Sequence, residues 1–339
     1  MSELQTKDFC IDITADEARD MKALIGLSNS NPYEDFEAFF REAGHISAAM
    51  PKRVQERLKK FAKRGNAYGA ILLRNLPQDP SLPPTPIKSD VQAKTKTYMS
   101  ELWMCGIASF FGEPIAYLQE REGKIFQDVF PTPEHANKLS SRSFSTPLGF
   151  HTEMVFHPFS PDHLFLYGMR QDPNKGARTL FSGTRKLIRL LPESIRQILF
   201  SKSFKLLFSH VHSPYKVHGK PVSEADGPTV SILYGDESNP SIRFEKEMMV
   251  AQTIEAQEAL EILTDLMIKN LYEVTIEPGS LLIFDNRHCV HARSVFNAEF
   301  DGRDRWLKRM HIAHKLEHSA SYRKNGSRII DTDLGNSWN

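Results

Sequence analysis

The sequence predicts a mainly β protein with flanking helices, whose core is a distorted double-stranded β-helix, the jelly roll of cupin-like proteins. Short strands separated by turns recur along the middle of the chain, as in sandwiches and barrels. Two segments with metal-ligand side chains lie about 140 residues apart, with helices between them. A jelly roll has a mouth where such segments converge. The predicted strands cover residues 115–119, 125–130, 149–156, 163–169, 178–183, 272–276, 280–286 and 307–314.

The N-terminal third predicts three helices followed by a strand. Thr14 and Glu17 match the capping box that begins a helix, and Pro51 suits the first turn of another. Apolar residues recur at helical spacing, so their aromatic side chains are predicted to belong to the core. A buried strand follows over residues 69–74, and the proline-rich residues 77–86 indicate a connecting loop.

We expect one catalytic domain with three regions. Residues 1–90 are predicted to form a helical region packed on the core, and residues 91–316 the double-stranded β-helix with a helical insert. Within that core region, residues 182–200 predict two short helices and residues 253–271 an amphipathic one. The polar residues 317–339 form a loose arm or a cover. A chain of 339 residues can bury a sizeable core.

Composition excludes several classes of partner. The 43 basic and 42 acidic residues give no excess charge for a polyanion, so nucleic acid is disfavoured. Cys10, Cys105 and Cys289 have no metal-ligand spacing and fit reduced thiols in a cytosol. The first eight residues lack a secretory signal, and no apolar run reaches the length of a membrane span. We therefore expect a cytoplasmic protein that binds a small molecule and no membrane.

His151, Glu153 and His291 form a candidate metal site. In a strand the side chains at i and i+2 point to one face, so His151 and Glu153 can reach the same ion while Thr152 points away. His291 follows the strongest strand signal, residues 280–286, and can supply a third ligand. Two histidines and one carboxylate leave coordination positions open, which is typical of non-haem Fe(II) oxygenases.

Other interpretations compete with this one. A single His-x-Glu pair is more often a solvated strand end. His288 is the nearest rival to His291, but three residues away it would face the other side of a strand. A zinc hydrolase could use the same ligand types, although the chain has no His-Glu-x-x-His pattern. A barrel that binds without catalysis is the third alternative. The remaining competing histidines are His157, His163, His210 and His212.

A resemblance to a known family rests on three segments: His-Thr-Glu at 151–153, Asp-Asn-Arg-His-Cys-Val-His-Ala-Arg at 285–293, and Asp-Gly-Arg-Asp-Arg-Trp-Leu-Lys-Arg at 301–309. Together they resemble the clavaminate synthase-like Fe(II)/2-oxoglutarate oxygenases, which include hydroxylases of free asparagine, arginine and lysine. The resemblance extends from about residue 70 to residue 313. It implies a dioxygenase that uses Fe(II), 2-oxoglutarate and dioxygen to hydroxylate an unactivated carbon of a free amino acid.

The resemblance also implies roles for individual residues. His151, Glu153 and His291 would hold iron, and Arg305 would bind the distal carboxylate of 2-oxoglutarate. A guanidinium suits that task because its planar fork donates two hydrogen bonds and keeps its charge. Arg309 shares a face with Arg305 in an unbulged strand. It would hold the substrate α-carboxylate or assist cosubstrate binding.

Four further residues are assigned by the same resemblance. Thr179 would hydrogen-bond 2-oxoglutarate. Ser141, ten residues before the first iron ligand, would help to bind the amino acid, and Gln119 would meet the α-amino group together with Glu153. Glu245 corresponds to the acidic residue that family members acting on basic amino acids place near the substrate side chain.

Glu245 favours a lysine- or arginine-like substrate, because a buried cation needs a paired carboxylate. Arg243 departs from the second acidic residue of the arginine hydroxylase and weakens the case for arginine itself. The alternatives within the class are an asparagine-like or carrier-bound amino acid, and desaturation in place of hydroxylation. Glu153 argues against a halogenase, in which a small residue replaces the carboxylate.

Overall fold

Two β-sheets pack face to face, and helices cover their outer faces, in a computed structural model that describes residues 6–27, 30–88, 97–138, 140–208 and 212–336. The helices are α1 (Thr6–Phe9), α2 (Ala15–Ala23), α3 (Phe36–Ala49), α4 (Lys52–Arg64), α5 (Met99–Ala108), α6 (Thr184–Ile188), α7 (Glu193–Phe200) and α8 (Ile254–Lys269). The strands are β1 (Cys10–Asp12), β2 (Ala70–Arg74), β3 (Glu113–Tyr117), β4 (Gln127–Val129), β5 (Leu148–His151), β6 (His163–Arg170), β7 (Thr179–Gly183), β8 (Phe204–Leu206), β9 (Lys216–Val217), β10 (Lys220–Pro221), β11 (Thr229–Val230), β12 (Leu233–Tyr234), β13 (Ser241–Ile242), β14 (Met249–Ala251), β15 (Tyr272–Val274), β16 (Leu281–Asp285), β17 (Cys289–Arg293), β18 (Trp306–Ala313) and β19 (Ile329–Ile330).

The major sheet has the order β1-β2-β16-β6-β18-β3-β19, and β4 pairs with β18 beside β3. The minor sheet has the order β15-β7-β17-β5. Strands that are distant in sequence are neighbours in both sheets, as a jelly roll requires. The predicted fold class, mainly β with flanking helices around a jelly roll, is therefore confirmed.

Alternation along β16 shows how the major sheet is packed. Leu281 and Ile283 belong to the core under the N-terminal helices. Leu282 and Phe284 belong to the core between the two sheets, where Phe284 meets Phe181 of β7 at a ring distance of 5.8 Å. Both faces of β16 are buried, which explains why its residues form a nearly continuous apolar run.

The same alternation in β17 and β18 turns the polar residues inward. Val290 and Ala292 of β17 pack outward against the core that includes α7 and α8, so His291 and Arg293 point between the sheets. In β18, Met310 packs under the N-terminal helices while Arg309 and His311 point to the inner side. The inner faces of the two sheets thus bring a polar cluster together.

The described segments nearest the two termini are built into this fold. β1 and β2, from the predicted helical region, pair with each other in parallel and join the major sheet through β16. β19 pairs in parallel with β3, and buried Arg328 makes ion pairs with Glu37 and Glu113, so the described part of the C-terminal arm is a cover. Within the ranges given above, no helix has the length and apolar character needed to cross a membrane.

Several predicted bounds differ from the structure. The strand predicted over 149–156 ends at His151, where a run of turns begins. The helix expected from about residue 91 begins at Met99, and the described residues 97 and 98 before it are not helical. Residues 89–96 and His210 lie outside the described ranges. The helical insert also carries small sheets made by β8 to β14.

Candidate active site

The three predicted metal ligands meet between the sheets. His151, the last residue of β5, is the cross-strand partner of His291 on β17, and the two imidazole rings are 4.2 Å apart. Glu153 follows two residues later. One ligand atom of each residue lies within 4.8 Å of one ligand atom of the other two. This separation allows a single ion to contact all three side chains.

Asn286 fixes the position of Glu153. After His151 the chain leaves β5, so the Glu153 backbone has no ladder partner on that strand. The Asn286 side chain replaces it, because its Oδ1 accepts from Glu153 N (2.7 Å) and its Nδ2 donates to Glu153 O (3.1 Å). Thr152 N donates to Phe244 O (2.8 Å), which turns Thr152 away from the ligands.

The protonation states of His151 and Glu153 suit metal binding. His151 Nδ1 lies 2.8 Å from Gly149 O and donates to it, which leaves Nε2 as the acceptor. Burial, reinforced by the neighbouring His291 ring, lowers the pKa of His151 to about 3. Burial opposes ionisation of Glu153, but Arg309 and the nearby His291 and His311 imidazoles hold its pKa well below the ordinary range. A neutral imidazole and an ionised carboxylate are the forms that bind metals.

The two oxygens of Glu153 have different surroundings. Oε1 accepts from Arg309 Nη1 (2.6 Å) and from His311 Nε2 (3.2 Å). Oε2 lies 3.6 Å from His291 Nε2 and is the oxygen directed at the shared position. A second grouping of Glu120, Glu153 and His311 is also close enough for an ion. Arg309 makes ion pairs with both of its carboxylates, so its charge opposes a cation there.

Arg305 is a buried cation with a free hydrogen-bonding edge. It is 8% exposed, and no described residue forms a hydrogen bond or ion pair with it. Its guanidinium carbon lies 5.9 Å from the centre of the Phe296 ring. Burial lowers the pKa of Arg305 to about 10, which leaves the group charged at neutral pH. A guanidinium in this state can take a carboxylate through two hydrogen bonds.

Arg309, in contrast, makes a hydrogen bond to a protein group through each of its three nitrogens. Its Nε donates to Gln127 Oε1 (3.0 Å), its Nη1 to Glu153, and its Nη2 to Glu120. Burial disfavours the charged form, but Glu120 and Glu153 raise the pKa of Arg309. The cluster contains two carboxylates and one guanidinium, so it can receive an ammonium group as well as a carboxylate.

A cavity with about 490 Å³ of empty space joins these groups. Seven residues assigned from the sequence line it: Ser141, His151, Glu153, Thr179, His291, Arg305 and Arg309. Thr179 lies on β7 opposite Arg293 of β17, which also lines the cavity. Ser141 comes from the segment between β4 and β5. One space therefore contains the candidate ligands and both assigned arginines.

Two assigned residues lie outside the lining of this cavity. Gln119 donates to Asp331 Oδ1 (2.9 Å) and borders a separate cavity near Lys216. Its neighbour Glu120 is the residue that contacts Arg309. Glu245 forms an isolated bridge with His151 and is 5% exposed.

The surroundings of Glu245 include a second acidic residue. A Cβ built on Gly149 would meet the carboxylate of Glu247, which therefore lies over β5. Burial, with a hydrogen bond and the charge of Glu247, raises the pKa of Glu245 well above its usual range. Arg243 lies elsewhere, with its guanidinium carbon 5.1 Å from the centre of the Tyr234 ring.

The competing histidines have other surroundings. His288 Nδ1 bonds to Asp285 Oδ2 (2.9 Å) in the turn before β17. His157 packs on Tyr117 at a ring distance of 4.6 Å, and His163 on Phe111 at 5.0 Å. His212 packs on Phe156.

Sequence reasoning missed four polar residues: Glu120, Gln127, Arg293 and His311. Arg293 and His311 carry an alternation signal, because each is two residues from an assigned site residue on the same strand. Glu120 and Gln127 have no such signal. Gln127 reaches Arg309 because β4 pairs with β18, and Glu120 follows β3, which also pairs with β18.

The residues present fit both groups that the resemblance implies. His151, Glu153 and His291 form a set of two nitrogens and one oxygen, with protein on one side and a cavity on the other, which suits Fe(II). Arg305 lines the same cavity with no protein counter-ion within hydrogen-bonding distance among the described residues, which suits the distal carboxylate of a dianionic keto acid.

Comparison with known proteins gives consistent matches. Residues 32–311 match the family described as Taurine catabolism dioxygenase TauD, TfdA family. The chain is 32% identical to clavaminate synthase 2 of Streptomyces clavuligerus, over 83% of this chain and 85% of that protein. It is 30% identical to the L-lysine 3-hydroxylase of Catenulispora acidiphila, over 94% of this chain and 87% of that protein. A solved structure of asparagine oxygenase with Fe(II), 3-hydroxyasparagine and succinate superimposes with a TM-score of 0.85 at 27% identity, covering 96% of this chain and 99% of that one.

Proposed function

The chain belongs to the TauD/TfdA family of dioxygenases and is an Fe(II)- and 2-oxoglutarate-dependent enzyme, and we propose that it hydroxylates an unactivated carbon of a free L-amino acid with a basic side chain. The observation that carries this proposal is the meeting of His151, Glu153 and His291 in the cavity that also exposes the fork of Arg305. This constellation provides separate positions for a metal, a keto acid and a substrate.

His151, Glu153 and His291 would hold the iron, and Arg305 with Thr179 would hold 2-oxoglutarate. When bound, iron and 2-oxoglutarate supply the oxidant from dioxygen, with release of succinate and carbon dioxide. The protein contributes fixed orientation. Asn286 holds the Glu153 backbone on both its N–H and its C=O, so the carboxylate does not have to reorganise when the metal binds.

The cluster around Arg309 would bind the amino acid through its charged ends. Glu120 and Glu153 can accept from the α-amino group, while Arg309 and Ser141 can donate to the α-carboxylate. Arg309 is already anchored by Gln127, so its guanidinium plane is set before the substrate arrives. Fixing both ends of the zwitterion beside the metal site leaves the side-chain carbons as the part exposed to oxidation.

The basic side chain is supported by Glu245. Its Oε1 is buried, and no described residue satisfies it, so it can accept from a cationic group. Glu247 adds a second carboxylate beside it. The similarity to the L-lysine 3-hydroxylase over 94% of the chain points to the same class of substrate. The Arg243 side chain lies over Tyr234, so its charge does not occupy the position between Glu245 and Glu247.

We also propose that the chain works as one catalytic domain in the cytosol. Packing of α3 to α5 against the outer face of the major sheet supports a single folded unit. The buried, unpaired thiols of Cys10, Cys105 and Cys289 support a reducing compartment.

The test offers the anaerobically loaded Fe(II) enzyme each free amino acid with 2-oxoglutarate and then air, and records succinate and the mass of the amino acid. We expect lysine, ornithine or arginine to gain one oxygen atom in step with succinate, and the His291→Ala variant to give neither product. If asparagine alone gains an oxygen atom, the proposed substrate class is wrong and the proposed reaction type stands. No succinate with any amino acid would refute the proposed reaction.

Glu245→Gln, with Glu247→Gln as the matched comparison, tests the side-chain site. Burial beside Glu247 disfavours the ionised form of Glu245, and a bound cationic side chain would favour it. Removing this carboxyl group should therefore raise KM for a basic substrate at least tenfold, roughly the effect of one charge-assisted hydrogen bond. Glu247 is exposed, so its change should have a smaller effect. Equal and negligible effects would remove Glu245 from the substrate site.

A further inference from the structure

Arg293 is a third guanidinium in the cavity, beside those of Arg305 and Arg309, and it is 6% exposed. It lies on β17 two residues after His291 and points to the same side. Its Nη1 donates to Ser143 O, its Nη2 to Thr146 O (2.6 Å) and its Nε to Ser294 O (3.2 Å). All three acceptors are backbone carbonyls. The side chain therefore holds the 143–146 loop without neutralising its own charge.

The 143–146 loop is attached to β17 and the residues after it at further points. Phe296 N donates to Phe144 O (3.0 Å), and the Phe144 ring packs on Phe300 at 5.5 Å. The loop begins two residues after Ser141, so its position constrains where Ser141 enters the cavity.

Two of the three cavity arginines, Arg293 and Arg305, contact one aromatic ring. The guanidinium carbons of Arg293 and Arg305 lie 5.4 Å and 5.9 Å from the centre of the Phe296 ring. An arginine keeps its charge at neutral pH, so these two guanidinium groups place two mutually repelling cations beside one ring of the cavity. A dianion between them would turn this repulsion into attraction.

We propose that Arg293 is a positioning residue that couples the seating of the 143–146 loop, and through it Ser141, to the binding of dianionic 2-oxoglutarate at Arg305. This inference rests on the proposed function. With the dianion bound, Arg293 is drawn toward the cavity and keeps its bonds to Ser143 and Thr146. Without it, repulsion from Arg305 weakens the same bonds. The amino acid then meets an ordered Ser141 only after the cosubstrate has bound.

Hydrogen exchange tests the coupling without turnover. Wild-type protein with Fe(II) under anaerobic conditions is compared with and without 2-oxoglutarate, and exchange is followed in peptides that cover residues 140–147. We expect the dianion to slow exchange in this segment at least tenfold. Arg293→Lys keeps the charge but loses the fork that spans two carbonyls, so it should lose most of that protection. Equal exchange with and without 2-oxoglutarate in the wild type would overturn the proposal, whatever the variants do.

Steady-state measurements provide the second readout. In Arg293→Lys we expect KM for the amino acid to rise at least tenfold while KM for 2-oxoglutarate changes less than threefold. Succinate should also exceed hydroxylated product, because an unseated substrate lets the cosubstrate react unproductively. Unchanged KM and a one-to-one ratio would contradict the role of Arg293.

Two variants serve as controls. Arg170 also donates to backbone carbonyls, those of Pro83 and Gly302, but lies outside the cavity lining, so Arg170→Lys should leave loop exchange and product ratio as in the wild type. Ser141→Ala should raise the amino-acid KM and keep the loop protection. If the wild-type enzyme makes no oxygenated amino acid, the proposed function is wrong. If the enzyme is active but exchange in the loop does not respond to 2-oxoglutarate, only the role of Arg293 is wrong.

Discussion

Replacing Arg305 by methionine should weaken the binding of 2-oxoglutarate and leave the stability of the protein intact. Replacing Arg309 by methionine should lower the stability. The two residues lie four positions apart at the cavity, and both are nearly buried. Arg305 has no counter-ion within hydrogen-bonding distance among the residues described, while Arg309 makes ion pairs with Glu120 and Glu153. Methionine keeps an unbranched apolar stem and removes the charged head, and the same change is made at both positions, so the comparison reports mainly on the different surroundings of the two charges.

Arg305→Met should leave the free energy of unfolding unchanged or slightly higher, because it removes a buried cation and breaks no hydrogen bond or ion pair to the described residues. The same change removes a bidentate contact to 2-oxoglutarate. A charge-assisted hydrogen bond is worth about 1.5–3 kcal/mol, so losing two should cost about 3 kcal/mol or more. This corresponds to a Kd for 2-oxoglutarate that is weaker by a factor of about 100 or more.

Arg309→Met leaves two carboxylates facing each other without a cation. Breaking a buried ion pair in this way costs about 3–5 kcal/mol. The lower end applies here, because the Glu120 side chain is 22% exposed and water can solvate it. We therefore expect about 3 kcal/mol of destabilisation for Arg309→Met in metal-free protein.

Urea denaturation in the presence of a chelator measures the stabilities, and anaerobic calorimetry with Fe(II) measures 2-oxoglutarate binding. The chelator matters because a bound divalent ion would itself neutralise Glu153. Equal destabilisation by the two changes would refute the assignment of different environments. Tight 2-oxoglutarate binding by Arg305→Met would refute its role in cosubstrate recognition.

Three further predictions concern the metal, a buried charge cluster and pH. His291→Ala should bind less than one tenth of the wild-type iron in anaerobic equilibrium dialysis while its circular dichroism spectrum stays unchanged; near-stoichiometric iron would contradict the ligand assignment. Lys308→Met leaves Glu101 and Asp128 without the fully buried ammonium that lies 3.2 Å and 2.9 Å from them, so urea unfolding should show a loss of about 3–5 kcal/mol. Burial raises the pKa of Asp79 to about 6, so the stabilisation from its protonated form is complete below about pH 4 and is lost as pH rises through 6. The free energy of unfolding of Asp79→Asn should therefore rise relative to that of the wild type between pH 4 and 7.5, by about 1 kcal/mol once solvent screening of a half-buried carboxyl is allowed for. If the two free energies of unfolding change in parallel with pH, this titration is excluded.

Much of the fold follows from patterns that are local in sequence. The apolar run over residues 280–286 identified a strand, and in the structure the residues of β16 divide between two cores as the alternation requires. The resemblance carried by the motifs at residues 151–153, 285–293 and 301–309 was confirmed by the family match over residues 32–311. These signals work because each depends on residues within one strand or one turn.

The bounds that failed depend on contacts from elsewhere in the chain. Residues 149–156 have the composition of one strand, yet pairing stops at His151 because Asn286, 133 residues away from Glu153, satisfies the backbone that follows. A bulge between His291 and Arg293 shifts the register opposite β5. Strand propensity within a window of a few residues contains no information about a side-chain amide, such as that of Asn286, from a distant part of the chain.

The two arginines of the last motif show where residue type stops being informative. Arg305 and Arg309 are the same residue in the same motif, and sequence alone gives both as carboxylate binders. Their environments differ because β4 brings Gln127 to Arg309, while Glu120, 189 residues before it, supplies a carboxylate. Arg305 receives no such partner from the described chain, so its capacity to bind an anion is kept for a ligand. The hydrogen-bond donors that the fold leaves without a protein partner thus decide how readily an arginine binds an anionic ligand. Those partners depend on the topology of the whole chain.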